Sequence, residues 1–307
     1  MKRLLQAIAL IVLASVLFTA CSGKVQGTEE SGKLSVYTSF YTMYDFAQKI
    51  GGDKADITVL VPDGTEPHDW EPAAADMASL QEADLFLYNG AGMEHWVEDI
   101  LSSLDESPLI AVEASKGIFL REGEHEEAGE AERGGMDPHV WLDPRNAKKE
   151  LETIKNAFVQ ADAQNASYYE ANYEKWASEI DALDEEFRAA LSVLPKKEIV
   201  VSHEAYGYLC AAYGLTQIGI EGLTPDSEPD PGRMAEIIEL AREKKVTTIF
   251  FEGLLSPDVA EAIAAETGAT TAVLSPLEGL TDEERAQGAD YFSVMRKNLS
   301  ALKQALQ

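Results

Sequence analysis

From residue 33 onward, short apolar, β-rich runs alternate with stretches whose apolar residues recur at three- and four-residue steps. Leu34 to Tyr37, Ile57 to Val61, Leu85 to Tyr88 and Leu109 to Val112 predict strands, with helical patterns around Asp45 to Ile50, Ala73 to Ala83 and Glu94 to Leu104 between them. The alternation resumes late in the chain. Ile199 to Val201, Thr216 to Gly219, Thr247 to Phe251 and Thr271 to Leu274 predict strands, and Tyr206 to Tyr213, Arg233 to Lys244 and Pro257 to Thr267 predict helices. Parallel strands need a crossover, usually a helix, so this order predicts an α/β fold of two lobes with mostly parallel sheets.

The stretch between the lobes differs. Tyr168 to Leu194 contains no Gly or Pro, and Tyr173, Trp176, Ile180, Leu183, Phe187, Ala190 and Leu194 form one apolar stripe. A helix of about 27 residues, roughly 40 Å long, is expected there, ended by Pro195. It either joins both lobes as a stiff connection or packs on one alone. Residues 121–135, REGEHEEAGEAERGG, hold six Glu and read as an exposed loop. The expected division is 1–20 signal peptide, 21–32 flexible tether, 33–164 N-terminal lobe, 165–194 linking helix and 195–307 C-terminal lobe.

The first residues explain the compartment. Lys2 and Arg3 precede an apolar stretch from Leu4 to Phe18, and Thr19 and Ala20 lead into Cys21. This describes an export signal, too short for a good membrane span. It resembles the bacterial lipoprotein signal, in which cleavage leaves the Cys to be acylated. Phe18 stands where that pattern usually has Leu. The implied location is extracytoplasmic, with the chain lipid-anchored to the bacterial cell membrane through Cys21. Cys210 is then the only other thiol, so no intramolecular disulfide can form, and its apolar setting predicts a buried small hydrophobe.

Composition narrows the partners. The 307 residues carry a formal charge of −29, and removing Lys2 and Arg3 with the signal takes it to −31. Nucleic acid is excluded as a partner, because phosphate neutralisation needs a basic surface. At 45% apolar and 26% charged residues, the chain is still a folding one.

Five histidines can be weighed singly. His68 lies in VPDGTEPHDWEP after a predicted strand, His139 in MDPHVWLDP, and His203 after the strand IVV in IVVSHEAYG. Glu278 follows another predicted strand in LSPLEGLTDEE. Ligands of open α/β sheets bind beyond the carboxyl ends of strands, where His68, His203 and Glu278 fall. Three imidazoles and a carboxylate suit a tetrahedral divalent transition metal, with Zn²⁺ favoured. The spacing matches no local zinc pattern, and each His taken alone fits a hydrogen-bonded structural role equally well. His95 reads as structural, and His125 belongs to the acidic loop. Asp137, Asp143 and Glu66 are candidates to orient the imidazoles, while Glu204 reads as a surface or orienting residue.

Together, VPDGTEPHDWEP, NGAGMEHWVED, DPHVWLDP, VSHEAYGYL and SPLEGLTDEE closely resemble the metal-binding lipoproteins of ABC importers for zinc and manganese, the zinc-uptake-type solute-binding proteins. The resemblance runs in order across the mature chain. It implies two (β/α) lobes joined by one long rigid helix, with the metal in the interlobe cleft. It also implies metal ligands His68, His139, His203 and Glu278, and a monomer that passes Zn²⁺ to a membrane permease with its cytoplasmic ATPase. Manganese-specialised members resemble this chain but usually place Glu at the position of His203 and Asp in the last loop. A third imidazole favours zinc over Mn²⁺. Many zinc-binding relatives carry a His-rich loop where this chain has its Glu-rich one.

The rival from another class is a secreted zinc hydrolase with three His and an open water position. HEAYG at His203 begins like a metalloprotease helix, but Gly207 stands where the second His is required. No enzyme activity is expected.

Overall fold

Among the residues described in the computed structural model, which are 32–104, 108–123, 135–225 and 229–307, eight strands form two four-stranded parallel sheets. The expected signal (1–20), Cys21, the tether up to residue 31 and residues 124–134 of the acidic segment, His125 included, lie outside the described residues. β1 (Leu34–Thr38), β2 (Ala55–Val59), β3 (Leu85–Tyr88) and β4 (Ile110–Glu113) assemble in the order β2-β1-β3-β4. β5 (Glu198–Val201), β6 (Thr216–Gly219), β7 (Thr248–Phe251) and β8 (Thr270–Val273) repeat it as β6-β5-β7-β8. All eight overlap the expected runs. Each sheet reverses its winding beside its first strand, which is where open α/β sheets gather their ligand loops.

Ten α-helices cover the sheets among the described residues. The first lobe has α1 (Tyr41–Gly51), α2 (Ala74–Gln81), α3 (Val97–Ser103) and α4 (Pro144–Ala161). Next comes α5 (Ala166–Ser192), followed by α6 (Gly207–Tyr213), α7 (Pro231–Glu243), α8 (Asp258–Thr267), α9 (Asp282–Ala286) and α10 (Tyr291–Ala305). The helices α4, α9 and α10 were not anticipated from the pattern, although their start signals are present. Asp143 accepts the Arg145 N–H at 3.0 Å with Pro144 in the first turn of α4, and Asp290 accepts the Ser293 N–H at 2.9 Å in α10.

The long helix spans 27 residues, as expected, but begins and ends two positions earlier. Ile180, Leu183 and Phe187 of the expected stripe are buried, joined by Tyr169, Ala177 and Leu191, while Tyr173, Trp176, Ala190 and Leu194 pack partly buried against the same core. α5 packs against α1 and α4 on one side and α6 and α10 on the other, so it is not confined to one lobe. Leu34–Gln307 is one compact unit. Its main core is continuous from Val36 and Phe46 through Leu183 and Phe187 to Leu209, Tyr291 and Leu302. Cys210 is free and buried, as its apolar setting predicts. No described helix is long and apolar enough to cross a membrane.

Candidate metal centre

The three imidazoles and the carboxylate singled out in the sequence come together. One ligand atom each from His68, His139, His203 and Glu278 lies within 4.8 Å of all the others, and the four residues are between 0% and 4% exposed. His68 leaves the loop after β2, His139 precedes α4, His203 follows β5 and Glu278 follows β8. Both lobes therefore contribute donors to the cleft.

The separations have a definite shape. His139 Nε2 is 3.3 Å from His68 Nε2 and 3.3 Å from His203 Nε2. Glu278 Oε1 lies 2.9, 3.4 and 3.7 Å from the Nε2 atoms of His139, His68 and His203. A tetrahedral Zn²⁺ with bonds of about 2.0–2.1 Å has ligand–ligand edges of about 3.3–3.4 Å. Five edges of the cluster scatter around that length. Carbonyl cages for larger, harder cations are wider and contain more oxygens.

The tautomers follow from the outer contacts of the rings. Asp137 Oδ1 is 2.8 Å from His139 Nδ1 and also accepts the His139 backbone N–H at 2.9 Å. Glu252 contacts His203 Nδ1 and accepts from Ser202 Oγ at 2.9 Å. With Nδ1–H donated outward, each neutral ring presents a bare Nε2 lone pair to the centre. Glu278 Oε2 is buried without a hydrogen-bond partner, and Oε1 faces only the imidazole nitrogens. Convergent lone pairs in a dry site repel one another unless a proton or a cation lies between them.

The acid–base balance reflects this conflict. Burial disfavours the charged form of His139, but the Asp137 and Glu278 carboxylates outweigh it and raise its pKa. Burial is likewise overcome at His203, where Glu252 and then Glu278 hold the ring well above the ordinary histidine range. Burial lowers His68 despite Glu278. Burial pushes Glu278 upward, but the imidazoles, His68 foremost, pull it well below the usual carboxylate range. Glu66 is pushed up to about 9 by burial, with the charges of Glu278 and Glu252 adding to it.

Glu278 is held in place by its preceding backbone. Four successive carbonyls accept side-chain hydrogen bonds: Leu274 from Tyr206 Oη at 2.6 Å, Ser275 from Asn298 Nδ2 at 2.7 Å, Pro276 from Trp141 Nε1 at 2.7 Å and Leu277 from Thr42 Oγ1 at 2.6 Å. Tyr206 and Asn298 come from the second lobe, Thr42 and Trp141 from the first. Leu277 has φ +64°, a left-handed conformation uncommon for a branched residue and maintained here by full burial.

The candidates for orienting the rings divide. Asp137 does contact His139, whereas Asp143 is engaged with Arg145 at 2.8 Å and caps α4. Glu66 accepts the backbone N–H of His68 at 3.2 Å, not its ring. Glu204 is fully buried, its side chain against Gly219, which corrects its reading as a surface residue. His95 is exposed and 3.5 Å from Glu71, away from the four donors. Glu252 was missed, although its place directly after β7 is the strand-end position that flagged the others. Gly207 also gains a reason: a Cβ there would meet Asp137 Oδ2 at 2.5 Å.

Two outcomes follow. A divalent ion must compete with protons more strongly at His139 and His203, whose pKa values the neighbouring carboxylates raise, than at His68, whose pKa burial lowers. Affinity therefore rises with pH through neutrality and falls as acid restores those protons; calorimetry at pH 7 in buffers of different ionisation enthalpy should show release of about one to two protons, and release near zero would contradict this assignment. Second, Glu252→Ala should weaken the metal about 10- to 100-fold in a chelator competition. Glu252→Gln, which still accepts from Nδ1–H, should lose less; equal losses would mean that charge rather than ring orientation is at stake.

Known proteins resemble this chain in sequence and fold. Residues 36–305 match the family model described as zinc-uptake complex component A, periplasmic. The chain is 42% identical over 308 residues to the high-affinity zinc uptake system protein ZnuA of Bacillus subtilis, covering 97% of both chains. It is 37% identical over 310 residues to the zinc-binding lipoprotein AdcA of Streptococcus pneumoniae, covering 99% of this chain but only 61% of that longer protein. The crystal structure of the Zn(II)-bound ZnuA-like domain of S. pneumoniae AdcA superposes with a TM-score of 0.78 at 38% identity, covering 90% of this chain and 99% of that one. The chain belongs to the zinc-uptake complex component A family of solute-binding proteins.

Proposed function

We propose that His68, His139, His203 and Glu278 hold Zn²⁺ in the cleft of an extracytoplasmic receptor, which delivers the ion to an ABC permease driven by its cytoplasmic ATPase. The observation that carries this reading is the near-tetrahedral set of three Nε2 atoms and one carboxylate oxygen, closed by a fourth protein donor. The family consists of solute-binding receptors, not enzymes. The fourth donor also occupies the position that a hydrolytic zinc site keeps open for water. Zinc is favoured over manganese because three of the four donors are imidazole nitrogens. We take residues 33–164 and 195–307 as the two lobes and 165–194 as their connection.

We also propose that the mature chain is tethered to the membrane through acylated Cys21. The small residues before Cys21 and the polar stretch behind it support this, as does the lipoprotein name of the pneumococcal relative. A Cys21→Ser variant should lose incorporation of labelled fatty acid and appear in the soluble fraction; a variant still held at the membrane would rule out this anchor.

Elemental analysis of the purified, tag-free protein should find one zinc per chain, and competitive titration should rank zinc above manganese. His203→Ala should lower zinc affinity by at least about 100-fold, the loss of a coordinating bond in a closed site. Tight manganese binding with no preference for zinc would overturn the metal assignment.

A further inference from the structure

A second group of donors shares Glu278. One carboxylate oxygen each from Glu66, Glu252 and Glu278 lies within 4.8 Å of the others. Glu252 is 3% and Glu278 2% exposed, while Glu66, from the first lobe, is half-buried and the most accessible of the three. Three carboxylates so close in a poorly solvated place repel one another unless positive charge joins them. One oxygen of Glu66 and one of Glu278 are left over: Glu66 Oε2 and Glu278 Oε2 are buried without a partner, while Glu66 Oε1 accepts the His68 N–H and Glu278 Oε1 faces the imidazoles.

A cavity supplies the second observation. A space of about 460 Å³ in the second lobe is lined by Glu252 and Glu278, with Glu283 and Glu284 also on its wall, and by none of the three histidines. Lys297, its one basic lining residue, is 3.6 Å from Glu284. Two of the three clustered carboxylates thus face this space, and no imidazole does.

We propose that Glu66, Glu252 and Glu278 form a second cation position, built of oxygen donors alone, which receives a divalent ion and passes it to the imidazoles through the shared Glu278. The proposal rests on the reading that His68, His139, His203 and Glu278 are the zinc ligands. Oxygen-only donors hold Zn²⁺ less selectively than imidazoles and accept hard cations such as Mn²⁺ as readily. Such a position exchanges its ion quickly and does not decide which metal is kept. It replaces the hydration shell in stages, so that the buried nitrogens need not strip the ion in one step.

Zinc association can be followed by stopped-flow tryptophan fluorescence, since the Trp141 ring centroid is 5.4 Å from that of His139. Glu66→Gln keeps an oxygen to accept the His68 N–H but cannot ionise to become a carboxylate ligand. It should slow zinc association at least tenfold and slow dissociation as well, because a stepping position lowers the barrier in both directions. The ratio to the parent should persist between about 0.15 M and about 0.5 M salt, where long-range attraction is screened. Unchanged association, or faster dissociation, would overturn the proposal; the latter would make Glu66 an ordinary determinant of affinity. A His139→Ala/His203→Ala variant should still bind one Mn²⁺ by electron paramagnetic resonance and lose it on adding Glu66→Gln; no saturable Mn²⁺ would count equally against it. Failure of the parent to bind zinc would sink the receptor reading instead, whereas zinc binding with kinetics indifferent to Glu66 would sink this inference alone.

Discussion

Three imidazole nitrogens and a carboxylate oxygen face one another across 2.9 to 3.7 Å in a cleft almost closed to water. Without positive charge among them, that convergence costs free energy, and the fold has to enforce it. The outward contacts of the rings make the conflict sharper. Asp137 and Glu252 draw the Nδ1 protons away from the centre, which leaves the Nε2 lone pairs pointing inward. Protons can relieve the repulsion, and the carboxylates beside His139 and His203 push their pKa values upward, in the direction of that relief. A metal ion relieves it better, because one charge satisfies four donors at once.

The enforcement comes from long-range packing. The core passes through α5 without interruption, so residues of both lobes share one body of contacts. The segment that carries Glu278 is then pinned by four consecutive carbonyls to Tyr206, Asn298, Trp141 and Thr42. Two of those donors belong to each lobe. The position of the carboxylate is thus a readout of how the lobes meet, and it depends on residues distant from one another in sequence. Tyr291 Oη extends the network by donating to the Trp141 carbonyl at 2.8 Å.

Much of this architecture was legible in the sequence because it follows local rules. The parallel strands could be found from short apolar runs, and the long helix from its stripe. Three of the four proposed ligands, His68, His203 and Glu278, stood out because strand-end loops of α/β sheets gather binding residues, and the family's motifs added His139. What escaped depends on tertiary contacts. Glu252 has no motif around it beyond FFEG, and its role appears only when His203 is placed beside it. Asp143 looks equivalent to Asp137 in DPHVWLDP, yet helix capping and Arg145 claim it. Glu204 adjoins a ligand in sequence but fills the space above Gly219. Thr42, Trp141 and Asn298 each lie more than twenty residues from the carbonyl they bind, a pairing that no periodicity reveals.

The acidity of the chain divides in the same way between general and specific effects. A formal charge of −29 raises the local concentration of any small cation, but salt screens that attraction beyond about 8 to 10 Å. It cannot tell zinc from calcium or magnesium. Discrimination requires donors that harder cations bind poorly, and the imidazoles provide it because their nitrogens are buried, unprotonated only at a cost, and spaced for a small tetrahedral ion. Carboxylates gain little selectivity from being numerous. Their contribution at the cleft depends instead on position: Asp137 and Glu252 contact the rings from outside, and Glu278 is the proposed fourth ligand that would close the coordination shell. Selectivity therefore resides in the least charged donors of an acidic protein, while its acids control how those donors are presented.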